Sequence, residues 1–183
     1  MCRNLQAEMP KIPVKVFGRL DAFLMDVETG KIVEERHTPN DVIDGGEIWI
    51  AELLAGEEYG GAGLTYSAGN LGHGLQYTQI GIDGAATTQG MFDLESKSGI
   101  TTNYETTEND VSTPGNVIVA TSTFSTGIGN GALQEAGLFS NSGDPASSTA
   151  TDVRMFNRVN FATINKSTSF QLTFQWTITI GTV

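Results

Sequence analysis

Cysteine occurs once in these 183 residues, at Cys2, so no disulfide can close within the chain. Histidine occurs twice, as His37 and His73. Neither falls in an H-x-x-x-H, H-E-x-x-H or Cys/His spacing, so no zinc site is legible. No run approaches the roughly 18 apolar residues that a membrane-crossing helix needs. The first residues, MCRNLQAEMPKIPVKVFG, mix charge, amide and proline where a signal peptide would be apolar. The expectation is a chain made in a cytoplasm, with no membrane insertion. Bases are scarce in the middle: residues 37–152 hold fifteen acids against Lys97 alone. With a net charge of −11 and no basic stripe to neutralise phosphates, nucleic-acid binding is not expected.

The charge is unevenly spread. Residues 1–36 balance six bases against six acids, and residues 153–183 carry Arg154, Arg158 and Lys166 with no acid. This distribution implies an acidic outward surface, and ends that meet each other or a partner. Arg3, Lys11 and Lys15 are the candidate partner contacts near the N-terminus.

Motifs for chemistry are equally sparse. No G-x-S-x-G elbow marks a nucleophile. TGIGNGA (126–132) has neither the dinucleotide-binding glycine spacing nor a P-loop lysine, and reads as a turn. Glu105, Glu108 and Asp110 offer oxygen ligands to calcium, but without the D-x-[DN]-x-[DN]-G order of a calcium loop. A glycosidase needs two carboxylates at a set separation, and nothing singles out a pair. No catalytic, cofactor-binding or metal-binding residue is assigned; the expectation is a protein that is not an enzyme.

Alternation, by contrast, is abundant. SFQLTFQWTITIGTV closes the chain. Phe170, Leu172, Phe174, Trp176, Ile178 and Ile180 share one parity, and Gln171, Thr173, Gln175, Thr177 and Thr179 the other. That is a strand spanning roughly 35 Å, with its large side chains forming a wall of the core. Its other face is uncharged, which suits either solvent or a neighbouring subunit. VKVFGRLDAFLMDV (14–27) reads as a strand, followed by a hairpin at VETGKIV with Gly30 free to take positive φ. YTQIGID, VIVATSTF, ALQEAGLFS and VRMFNRVNFATI read as further strands.

One helix is expected over residues 45–55, from the Asp44 cap and Glu47 three residues on to the Gly56 stop. The fold class is therefore mainly β, an antiparallel sandwich or jelly-roll-like architecture with one short helix. The expected domain organisation is an extended arm at 1–12 and a single β-sandwich domain at 13–183. Its polar loops fall at 57–76, 99–116 and 140–152, the second of them a loop or a two-strand flap. Glu135 stands out, flanked by Leu133, Ala136, Leu138 and Phe139; sharing parity with Leu133, it is expected to point inward or to a rim. A buried carboxylate needs donors, and Arg154 or Arg158 would supply them, forming a structural lock.

Taken together, ATSTFSTGIGNGALQEAGLFS and VRMFNRVNFATINKSTSFQLTFQWTITI resemble a module of tailed-bacteriophage virion proteins. The resemblance rests on the Gly129/Gly131 turn, Glu135-Ala136-Gly137-Leu138-Phe139, Met155 with Arg158, and Phe161 with Ile164 and Lys166. The closing strand with Trp176 and Ile178 completes the series. The front half, with its TGK hairpin and Gly-led helix, is similar to such proteins too. This chain carries Asn157 where that family has a small residue. The resemblance implies a structural protein of the virion: a capsid decoration, or a neck or tail-fibre component. It would contact copies of itself, with a homotrimer by analogy, and other virion proteins. The alternative is a host-surface module of a phage tail, binding a glycan or receptor through loops around Tyr59, Tyr66, Tyr77 and Tyr104.

Overall fold

The computed structural model describes residues 15–43, 46, 50, 75, 77–88, 90, 91, 93, 94, 106–108, 110–139 and 155–181. They form nine strands: β1 (Lys15–Asp26), β2 (Ile32–Val42), β3 (Tyr77–Gly81), β4 (Thr106–Glu108), β5 (Asp110–Ser112), β6 (Val117–Phe124), β7 (Gly131–Phe139), β8 (Met155–Lys166) and β9 (Phe170–Gly181). Every pairing is antiparallel, in the order β4-β3-β7-β8-β2-β1-β9-β6-β5. The row folds into two facing sheets because β2 serves both: its partners are β1 from Ile32 to Asn40, then β8 at Asp41 and Val42. The chain is thus mainly β, an antiparallel β-sandwich.

The alternation of β9 explains the core. Leu172, Phe174, Trp176 and Ile178 are all buried. Their partners Leu20, Ala22 and Leu24 on β1, and Ala120 and Phe124 on β6, complete one wall. Phe170 and Ile180 are half-buried at the ends. The facing wall is Ile80, Leu133, Ala136, Leu138, Val159, Phe161 and Ile164. Phe174 meets Phe161 across the gap at 5.8 Å between ring centroids. Trp176 donates its indole N–H to Thr78 Oγ1 on β3 at 2.9 Å, which fixes how the sheets sit against each other.

The β1–β2 hairpin turns on Asp26, whose carboxylate accepts the Thr29 and Glu28 backbone N–H groups and the Thr29 hydroxyl. These bonds, the Thr29 backbone N–H foremost, hold its carboxyl below the ordinary range. Gly30 takes φ +66°.

Two expectations need correction. The stretch 99–116 is not simply a polar loop, because β4 and β5 lie within it, and they are not a flap either. β4 pairs with β3 in one sheet and β5 with β6 in the other. One residue of chain separates the two strands, so the segment crosses from sheet to sheet. Backbone pairing with two existing edges outweighs the polar composition of this Thr-rich stretch. Secondly, Leu133 and Glu135 do not share a face. The β7–β8 register shifts between them, so Leu133 joins the core while Glu135 points out of the sandwich.

Of the helix expected at 45–55, Gly46 and Ile50 are helical, and its remaining positions lie outside the described residues. The 1–12 arm, the 140–152 loop and all of 57–76 except Leu75 also lie outside them.

Candidate functional site

The two sheets differ in what lies on their outer faces. On the β3-β7-β8 sheet the outward side chains are buried a second time. Ile43, Leu94, Phe139 and Met155 form a small second core, with Met91 and Tyr77 packed against it. Residues 82–88 continue from β3 and lie over the neighbouring part of this face. Beneath them Arg158 donates Nε–H to Glu135 Oε2 at 2.7 Å, with both side chains fully buried. Its Nη1 donates to the Ala85 carbonyl at 2.9 Å and to Asn160 Oδ1 at 3.2 Å. Asn160 in turn donates to the Asp83 carbonyl. Arg158, held by Glu135, and Asn160 therefore tie residues 82–88 to the sheet. Arg154, the other candidate donor, lies outside the described residues.

The residues that carry the virion resemblance converge in this half. In Glu135-Ala136-Gly137-Leu138-Phe139 the odd-numbered positions face outward and the even-numbered ones face the sandwich. Gly137 leaves room for the Phe139 ring; a Cβ there would sit 2.6 Å from Phe139 Cε2. Lys166 is buried, and its ammonium donates to the Ser125 carbonyl at 2.7 Å and Asn130 Oδ1 at 3.0 Å, clasping the glycine turn to the end of β8. That turn requires Gly129, at φ +67° and with Ile80 Cδ1 2.3 Å from where a Cβ would lie. Asn157 faces the sandwich, fully buried, and its amide makes no hydrogen bond among the described residues.

On the other sheet, β2-β1-β9-β6-β5, the outward side chains of β9 are only half-buried. This face carries the main cluster of charged groups absent from the sequence reading. Asp21 points outward on β1, yet its side chain is only 3% exposed, because Arg19 and His37 lie over it. Arg19 donates to Asp21 Oδ2 at 2.6 Å. His37 Nδ1 meets Asp21 Oδ1 at 2.6 Å, and His37 Nε2 meets Glu35 Oε1 at 2.8 Å. The imidazole thus bridges two carboxylates, with Phe23 edge-on to its ring. Both ring nitrogens are engaged, so the cluster is a charge-balanced bridge and not a metal-ligand set. Among the described residues no group of three or more His, Cys, Asp and Glu is placed to hold a metal ion. His73 and Glu105 lie outside the described residues, and Asp110 is exposed on β5.

The Asp21 hydrogen bond raises the His37 pKa above its ordinary 6.5, assisted by the charges of Asp21 and Glu35 and opposed by desolvation and Arg19. A histidine raised in the fold stabilises while pH lies below its unfolded value, and that contribution disappears as pH rises through the folded value. Urea midpoints are expected to fall as pH climbs through the titration of His37 followed by NMR. His37→Gln is expected to flatten that fall.

Lys15, one of the three proposed partner contacts, is exposed at the start of β1 opposite Gly181. Arg3 and Lys11 lie outside the described residues. So do Tyr59, Tyr66 and Tyr104 of the glycan reading, while Tyr77 is half-buried against the second core.

No protein family, curated protein or solved structure matches the chain.

Proposed function

We propose that this chain is a non-enzymatic structural protein of a tailed-bacteriophage particle, a capsid decoration or a neck or tail component. It works by adhesion, to copies of itself and to other virion proteins. The observation that carries this reading is the convergence of the motif series on one structural unit. The Lys166 clasp ties the glycine turn to β8. The Glu135–Arg158 pair ties β7 to β8. β8 then leads directly into β9. Residues far apart in the series that resembles phage modules are thus held together by specific polar contacts. A broad sheet face with few uncompensated charges also suits a protein whose work is contact.

The test is the particle itself. Mass spectrometry of purified virions from a lysate expressing the chain is expected to find it at stoichiometric level, and an averaged image to place it on the capsid, neck or tail. Its absence from purified virions overturns the reading.

A further inference from the structure

The outer face of the β2-β1-β9-β6-β5 sheet differs from the rest of this acidic molecule. Its centre is threonine, glutamine and apolar side chain, with Phe23, Val119, Thr121, Gln175 and Thr177 half-buried, and Phe17, 44% exposed, lies toward one end of β1. Among the described residues the charges on it balance. Lys15, Arg19 and protonated His37 stand against Asp21, Glu35 and Asp110, and the most deeply set acid, Asp21, is covered by two cations of its own chain. The whole chain carries −11, so copies repel wherever acidic surface meets acidic surface. Two copies of this face avoid that repulsion, because each brings its own compensating cations.

The size also fits. At about 3.4 Å per residue β1, β9 and β2 span about 40 Å, β6 about 27 Å and β5 about 10 Å, with neighbouring strands about 4.8 Å apart. The resulting area, roughly 640 Å² in plan, falls at the lower end of the roughly 600–1,000 Å² per partner that stable interfaces bury. The opposite outer face is already covered by residues of the same chain.

We propose that a second copy of this chain packs on this face, sheet against sheet, with the Arg19–Asp21–His37–Glu35 cluster at the contact. The proposal rests on the self-association in the functional reading above and specifies its surface. It carries a signature that a generic sticky surface lacks. Among the described residues Arg19 and Asp21 of β1 and Glu35 of β2 are the charged groups facing His37; β9, beyond β1, presents uncharged Gln175 beside Asp21. Loss of the His37 proton leaves each face with excess negative charge, so association weakens as pH rises through the titration of His37.

Sedimentation equilibrium of the full chain across the histidine pH range tests this. Thr177→Glu and, on the neighbouring strand, Thr121→Glu each place an acid at the centre of both copies. Each is expected to weaken association by roughly tenfold or more, with unchanged circular dichroism confirming the fold. Ala162→Glu, exposed on β8, is expected to leave association as it was. His37→Gln is expected to remove the pH dependence. Self-association that survives both threonine variants, or a chain that stays monomeric at every concentration and pH, overturns the proposal. If the chain is present in virions but fails these tests, only the choice of surface is wrong. If it associates through this face but is absent from virions, the surface stands and the virion reading falls.

Discussion

Arg158→Met is expected to destabilise the protein by about 3–5 kcal/mol, read from urea unfolding. The magnitude follows from what is left behind. Glu135 lies fully buried on β7 with the guanidinium 2.7 Å away. Removing the cation takes away the charge partner of a carboxylate that is shut off from water, and breaking one side of a buried pair typically costs that much. Glu135→Gln alone leaves the guanidinium buried but keeps an amide oxygen to accept from it, so a smaller loss is expected. The double variant Glu135→Leu with Arg158→Met separates charge from tether. Without either charge the desolvation cost disappears, and stability is expected to recover in part. It does not recover fully, because Arg158 also holds the Ala85 carbonyl and Asn160. Hydrogen exchange of the 82–88 amides is expected to remain faster in the double variant than in the parent. A double variant as unstable as Arg158→Met alone would show that the loss lies in the tether and not in the broken charge pair.

Trp176→Ala is expected to cost about 3–5 kcal/mol, at the upper end for deleting a large aromatic from a packed core. Trp176 is fully buried, between Leu20 on β1 and Ala120 on β6. It is also the residue whose indole N–H reaches Thr78 in the facing sheet. Alanine removes both the volume and the bond that sets the spacing of the sheets. Trp176→Phe keeps most of the volume and loses the bond, so about 1–2 kcal/mol is expected from the lost donor and the imperfect fit. The comparison of the two variants in urea assigns the remainder to packing. Equal losses would mean that the polar contact, and not the volume, dominates.

What could be read from the sequence was whatever rests on period-two alternation. β1, β6 and β9 each have one face of consistent parity, and those faces are buried. The hairpin at VETGKIV marks where β2 starts, but its run through EERHTPND is obscured because that stretch is polar and contains Pro39; it is a strand because β1 supplies its pairing, not because its own side chains favour one. Parity gives the wrong direction for Glu135 because it holds only in an unbroken ladder, and β7 and β8 shift register there. The Asp21–His37 contact joins residues sixteen positions apart. One signal did exist for it. Equal steps outward from Thr29, in the TGK hairpin, reach Asp21 on one side and His37 on the other, and that is the register the two strands adopt. The burial of Asp21 on an outer face had no such signal, since it depends on which neighbours fold over it.

The crossing of chain between sheets at both margins has a mechanical consequence. β2 runs from one leaf into the other at one margin, and β4 and β5 do so at the opposite margin with one residue between them. Neither leaf can slide or peel without dragging a covalent segment of its partner. Tension applied along β9 is therefore divided between both leaves. The sandwich is expected to yield as one body, in a single rupture step under a pulling force, instead of opening like the pages of a book.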